Sequence, residues 1–152
     1  MVSENLALGL ESWDIEDVRE AAQQVGLDHE IESWPGQYEA LVGERGVNLS
    51  GGQKQRMTLA RAMIRQAPLV MLDDTLSAID AKTEAAILRN LRGELRKTTS
   101  IIVSHRLASL READQILVLK SGQIEAAGRH ADLMASSPTY QVLREMQSEA
   151  QQ

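Results

Sequence analysis

The sequence contains no cysteine and no phenylalanine. The first absence removes disulfides, thiolate metal sites and cysteine nucleophiles from consideration. The second, with only two Trp and two Tyr, leaves a core to be built from Leu, Ile, Val, Ala and Met. No apolar run approaches the roughly 18–20 residues needed to cross a bilayer, and the N-terminus carries no signal-peptide pattern. Basic residues are outnumbered, 16 Lys and Arg against 22 Asp and Glu, and the net charge of −6 argues against a general nucleic-acid binder. Internal repeats and low-complexity segments are also lacking. What is present, 43% hydrophobic and 25% charged residues in a chain of 152, suits one folded domain or a piece of one. The expectation is a soluble, cytoplasmic chain.

Two textures divide it. Residues 1–64 read as mainly helical. Asp14 is placed to cap a helix with Ile15, Val18, Ala22 and Val25 on one face, stopped by Gly26. A short turn around His29–Ser33 ends at the breaker Trp34-Pro35-Gly36. The segment from Gly43 to Gly52 holds four glycines and reads as loop. A helix then starts at Ser50 and runs to about Gln66, with Met57, Ala60, Met63 and Ile64 at helical spacing.

From Pro68 the pattern becomes α/β. Leu69–Leu72 is an unbroken apolar run that suits a strand buried on both faces. Asp80 is placed to cap a helix with Ile87, Leu88, Leu91 and Leu95 inward. Ser100–Val103 reads as a second buried strand and Gln115–Leu119 as a third, turning at Ser121-Gly122 into Gln123–Ala127 as a hairpin. Helix signals resume at Ala131–Ala135 and Thr139–Ser148. Strands alternating with crossover helices imply a parallel sheet.

Three short segments carry possible chemistry. In Leu49-Ser50-Gly51-Gly52-Gln53, Ser50 can cap the following helix and leave its first N–H groups facing an anion. The glycines remove side chains where a phosphate must come close. Alone, the motif equally fits a glycine-rich turn entering a helix. The run Leu69–Leu72 ends in Asp73-Asp74, where one carboxylate can hold Mg²⁺ and its neighbour can orient a nucleophile. A solvated acidic turn explains it as well. Ser104-His105-Arg106 comes after the second strand, where a His can meet a γ-phosphate or simply be a satisfied polar residue.

In this order and spacing the three resemble the ABC-type ATPases. Leu49–Gln53, continued by Lys54-Gln55-Arg56, is similar to the family signature, and Leu69–Asp73 to the Walker B strand. Ser77-Ala78-Ile79-Asp80 resembles the loop that crosses the dimer interface, and His105 the switch histidine. Gly43-Glu44-Arg45-Gly46 resembles the segment by which exporter-type members contact the coupling helices of their membrane domains. The resemblance covers essentially the whole chain. It implies a partial P-loop NTPase of RecA-like α/β fold: a helical subdomain with the signature helix over residues 1–66, and the C-terminal half of the core over 67–152.

It also implies ATP and Mg²⁺ as cofactors. Ser50, Gly51, Gly52, Gln53 and Asp80 are implied to contact nucleotide, Asp73 to hold the metal, and Asp74 and His105 to act in hydrolysis. The implied partner is a second nucleotide-binding domain, because each ATP lies between the Walker motifs of one domain and the signature of the other. The implied place is the cytoplasmic face of a membrane, within a transporter.

Two departures qualify the resemblance. No Gly-x-x-x-x-Gly-Lys-Ser/Thr occurs, so the phosphate-cradling loop and its strand are missing, as is the Gln-bearing loop that should precede residue 1. The segment Val2–Gly9 is similar to the stretch just after that Gln loop in exporters. Asp74 stands where the family has Glu, one methylene longer. A misplacement of about 1 Å can cost around 10²-fold, and general bases supply only about 10²–10⁴-fold, so the site containing Asp74 is expected to be degenerate. This suits one half of a heterodimeric exporter, with an intact signature serving the partner. The rivals are a non-catalytic docking or regulatory module, and a soluble ABC ATPase of DNA maintenance or translation. The Gly43–Gly46 segment and the lack of coiled-coil heptads disfavour the last.

Remaining features read as structural. Trp13, Trp34 and the Met57–Met63 face suit packing better than a ligand surface. Arg92, Arg96 and Lys97 complement a helix dipole.

Overall fold

A computed structural model describes residues 1–43 and 47–149. The chain divides into two compact units, Met1–Val103 and a second beginning at Ser104. The first unit opens with α1 (Val2–Leu6), α2 (Ile15–Gln24), α3 (Asp28–Ser33) and a 3₁₀ turn at Gln37–Glu39. It continues with α4 (Gly51–Ile64), β1 (Leu69–Asp73), α5 (Ala81–Lys97) and β2 (Thr99–Val103).

Local chemistry sets most of these boundaries. The Asp14 carboxylate accepts the Asp17 N–H at 3.0 Å and starts α2. That helix buries Val18, Ala21 and Ala22 in a core shared with Met57, Leu59 and Ala60 of α4. Trp34 and Met63 pack at the edge of this core, while Trp13 stays exposed. The Tyr38 hydroxyl donates to Asp28 at 2.6 Å, and the Arg19 guanidinium lies 5.0 Å over its ring. Burial and the neighbouring Asp28 carboxylate push the Tyr38 phenol well above its ordinary range. Arg61 ties α4 to the first segment by donating to the Asn5 carbonyl at 2.6 Å.

β1 and β2 pair in parallel, from Leu69 opposite Thr99 to Asp73 opposite Val103, with α5 as the crossover. The parallel sheet expected from the sequence is present. Its burial differs from expectation. Val70 and Leu72 are buried with Ile87 and Leu91 of α5, but Leu69 and Met71 on the other face are exposed, as are Ile101 and Val103 of β2. A parallel strand is buried on both faces only when both are covered, and here the core lies on one.

The second unit contains α6 (Leu107–Leu110), β3 (Ile116–Lys120), β4 (Gln123–Gly128), α7 (His130–Ser136) and α8 (Pro138–Glu149). β3 and β4 form the expected antiparallel hairpin, shifted in register between Val118 and Leu119. Ser121 and Gly122 both have positive φ, 52° and 76°, the conformation a two-residue hairpin turn demands. Leu107, Ile116, Val118, Leu133 and Tyr140 make a small core of their own. No described helix is long and apolar enough to cross a membrane.

Candidate functional site

The N-terminus of α4 is closed by reciprocal caps. The Gln53 N–H donates to Ser50 Oγ at 3.2 Å, and the Ser50 N–H donates to Gln53 Oε1 at 2.8 Å. This capping box satisfies two end-of-helix donors, the N–H groups of Ser50 and Gln53, and does not engage those of Gly51 and Gly52 between them. Ser50 and Gly51 are exposed. At Gly52 a Cβ would stand 3.2 Å from the Ala78 carbonyl oxygen, a tight contact that would press on the loop after β1.

The Gln53 side chain is engaged at both ends. While Oε1 accepts from Ser50, Nε2 donates to Glu30 at 2.7 Å. Glu30 in turn pairs with the Arg56 guanidinium at 2.7 Å, and Arg56 reaches the Gly26 carbonyl at 2.7 Å. Arg56 is only 11% exposed. The cluster binds the first turns of α4 to the end of α2 and to α3. Sequence reasoning quoted Arg56 without a role and missed Glu30. A pair separated by 23 residues leaves no local pattern to find.

The carboxylate pair sits at the C-terminal edge of β1. Asp73 is its last residue and Asp74 comes next with φ 45°, and both are exposed. The Asp74 N–H donates to the Val103 carbonyl at 2.9 Å. Its own carbonyl accepts the Ser77 N–H at 3.3 Å and the Ser77 hydroxyl at 2.9 Å, which folds the loop back toward Ala78. Asp80 ends the loop by accepting the Lys82 and Thr83 N–H groups at 3.1 and 3.0 Å, capping α5. The bonds to Thr83 hold the Asp80 carboxyl below its ordinary value near 3.8.

The structure therefore brings Ser50–Gln53 together with the loop Ser77–Asp80, and places Asp73, Asp74 and Asp80 on that loop or its borders. His105 belongs to the second unit, where it is exposed and its carbonyl accepts from Gln147 Nε2. The Ser104 hydroxyl accepts the Arg106 N–H at 2.9 Å and shapes the turn around it. Of the segment Gly43–Gly46, only Gly43 is described; Glu44, Arg45 and Gly46 lie outside the described residues. Among the described residues no three His, Asp or Glu side chains converge as a preformed metal cage. Mg²⁺ does not need one. It commonly uses one or two carboxylates with substrate phosphates and water, a donor set that Asp73 and Asp74 fit.

A family model described as ABC transporter matches residues 1–77. A Bacillus subtilis protein, the probable multidrug resistance ABC transporter ATP-binding/permease protein YheI, is 40% identical over 146 residues, covering 96% of this chain and 25% of that protein. An ATP-dependent lipid A-core flippase of Methylococcus capsulatus is 40% identical over 147 residues, covering 96% of this chain and 24% of its own. Among solved structures, a bacterial Atm1-family ABC exporter with ATP bound superposes with a TM-score of 0.89 at 34% identity. That match covers 97% of this chain and 26% of the exporter chain. The chain spans about a quarter of the length of each of these three relatives.

Proposed function

The chain belongs to the ABC transporter family, and from that premise we propose that it is the C-terminal part of the nucleotide-binding domain of an exporter subunit. The carrying observation is the exposed N-terminus of α4, capped by Ser50 and begun by two glycines, held against the loop Ser77–Asp80. In this reading residues 1–66 are the helical subdomain and 67–152 the C-terminal half of the RecA-like core. Ser50, Gly51 and Gly52 meet the γ-phosphate of ATP in a partner domain's site. Gln53, with its side chain occupied by Ser50 and Glu30, acts there by holding the helix end in shape.

At the chain's own site Asp73 holds Mg²⁺, which neutralises phosphate charge when bound. Asp74 stands in for the general base, His105 senses the γ-phosphate, and Asp80 borders the nucleotide across the interface. Phosphoryl transfer depends mainly on positioning and electrostatics, so the short reach of Asp74 weakens this site. The partner is then a second nucleotide-binding domain that keeps a full-length base, making the pair a heterodimer. Gly43–Gly46 meet the coupling helices of the membrane domain at the cytoplasmic face. ATP binding closes the two domains head to tail and hydrolysis reopens them.

The test uses the complete subunit assembled with its partner. Gly51→Asp should abolish most ATP turnover, since the added carboxylate faces the phosphate. The new Cβ itself meets nothing closer than Ala78 Cβ at 3.7 Å, so crowding does not explain a loss. Asp74→Asn should leave most turnover intact. Full activity in the Gly51 variant would remove the signature role; complete loss in the Asp74 variant would remove the degenerate one.

A further inference from the structure

Two carboxamides leave α4 in different directions. Gln53 is bound to Glu30 in α3. Gln55 turns to the loop after β1, where its Nε2 donates to Ser77 Oγ at 3.0 Å and its Oε1 accepts the Ala78 N–H at 2.8 Å. Both polar ends of one side chain are thus spent on two consecutive loop residues. The Ser77 hydroxyl donates onward to the Asp74 carbonyl at 2.9 Å. A continuous path of hydrogen bonds joins the helix that begins at Ser50 to the residue at the edge of β1. Gly52 lies against the same Ala78, so the helix end and the loop touch at two heights.

Resting on the function read above, we propose that Gln55 is a positioning residue. It fixes the anion-facing end of α4 and the Asp73–Asp74 edge as one piece, so that the ends serving two different ATP molecules are held in one register. Gln55 touches no phosphate. Its effect passes through Ser77 and Ala78, and a bidentate carboxamide resists the rotation that a single bond allows. Freeing it lets the anion-facing end of α4 shift, in the partner's active site, by a fraction of the roughly 1 Å that already costs about 10²-fold in a catalytic site.

The experiment compares Gln55→Met and Gln55→Glu in the full subunit with its partner. Met has similar length and helix propensity but makes neither bond. Glu keeps an acceptor for the Ala78 N–H and loses only the donor to Ser77 Oγ, whose single proton stays on the Asp74 carbonyl. Q55M is expected to lower kcat about tenfold with KM for ATP within about twofold, and Q55E to restore kcat to within about threefold. The Ala78 amide should exchange faster in Q55M and near the wild-type rate in Q55E. Wild-type kcat in Q55M, equal damage in both variants, or an unchanged Ala78 amide in Q55M would each overturn the proposal. If the wild-type pair itself shows no ATP turnover, the functional reading fails and this proposal falls with it.

Discussion

The Asp74 N–H donates to the Val103 carbonyl at 2.9 Å, one residue beyond the last registered pair of β1 and β2. The bond anchors the backbone at the sheet edge, so the reach of the carboxylate depends on side-chain length. Asp74→Glu in the assembled subunit is expected to raise hydrolysis at this chain's own site by about 10-fold to 10²-fold. The same change should lower stability by about 1 kcal/mol, because Asp tolerates the left-handed φ of 45° better than Glu. Single-site turnover and urea unfolding, measured together, check both halves. Unchanged turnover with normal ATP binding would show that side-chain length is not the defect.

Ser50 combines two roles that substitution can separate. Ser50→Ala removes the acceptor for the Gln53 N–H and should cost about 1 kcal/mol in urea unfolding. Ser50→Asp keeps a good cap and should leave stability within about 0.5 kcal/mol. Its carboxylate, however, repels the phosphate that the helix end is read to bind. ATP turnover in the assembled pair should therefore fall in S50D despite wild-type stability. If turnover tracks stability in both variants, Ser50 is a cap and nothing more.

Elements defined by neighbours in sequence were legible before the structure. Ser50 marks the start of α4 as its cap, and Ser121-Gly122 marks a hairpin, because residues adjacent in sequence decide these features. The alternation of β1, α5 and β2 could be read from apolar runs and the Asp80 cap. The one-sided burial of β1 could not, because an apolar run states only that cover is wanted, and Met71 has none in this structure. The ties from Gln53 to Glu30 and from Gln55 to Ser77 were equally hidden, at separations of 23 and 22 residues. Candidate site residues could be named from their motif; the contacts that hold them in place could not.

Asp80 gives the chain a specific response to acid. Its carboxyl is held below the ordinary value by the bonds to Thr83 and Lys82. A carboxyl depressed in the folded state contributes stability that is present above its unfolded value and lost as pH falls through the folded one. Stability should therefore decline below about pH 4, and part of that decline belongs to α5. Asp80→Asn, which caps as well but does not titrate, should flatten the profile there while changing little at pH 7. Urea midpoints from pH 2.5 to 7 measure this, and parallel profiles for the two proteins would assign the acid loss elsewhere.

The last expectation concerns the open strands. Among the described residues β2 pairs only with β1, and β3 only with β4. A strand paired on one side directs about half of its N–H groups at its neighbour and the rest outward. On the uncovered face, Met71 and Ile101 are registered partners, 68% and 45% exposed. Such a surface invites association between copies. The isolated chain should thus show alternating fast and slow amide exchange along β2 and β3, against steadier protection in the interior of α4. It should also self-associate as concentration rises. Ile101→Lys should reduce that association while moving stability by less than about 0.5 kcal/mol, since the side chain it replaces is not in the core. Uniform slow exchange across Ile116–Lys120 in a demonstrated monomer would mean that β3 has a second strand neighbour. Association unaffected by I101K would mean that the β1–β2 face is not the surface through which copies meet.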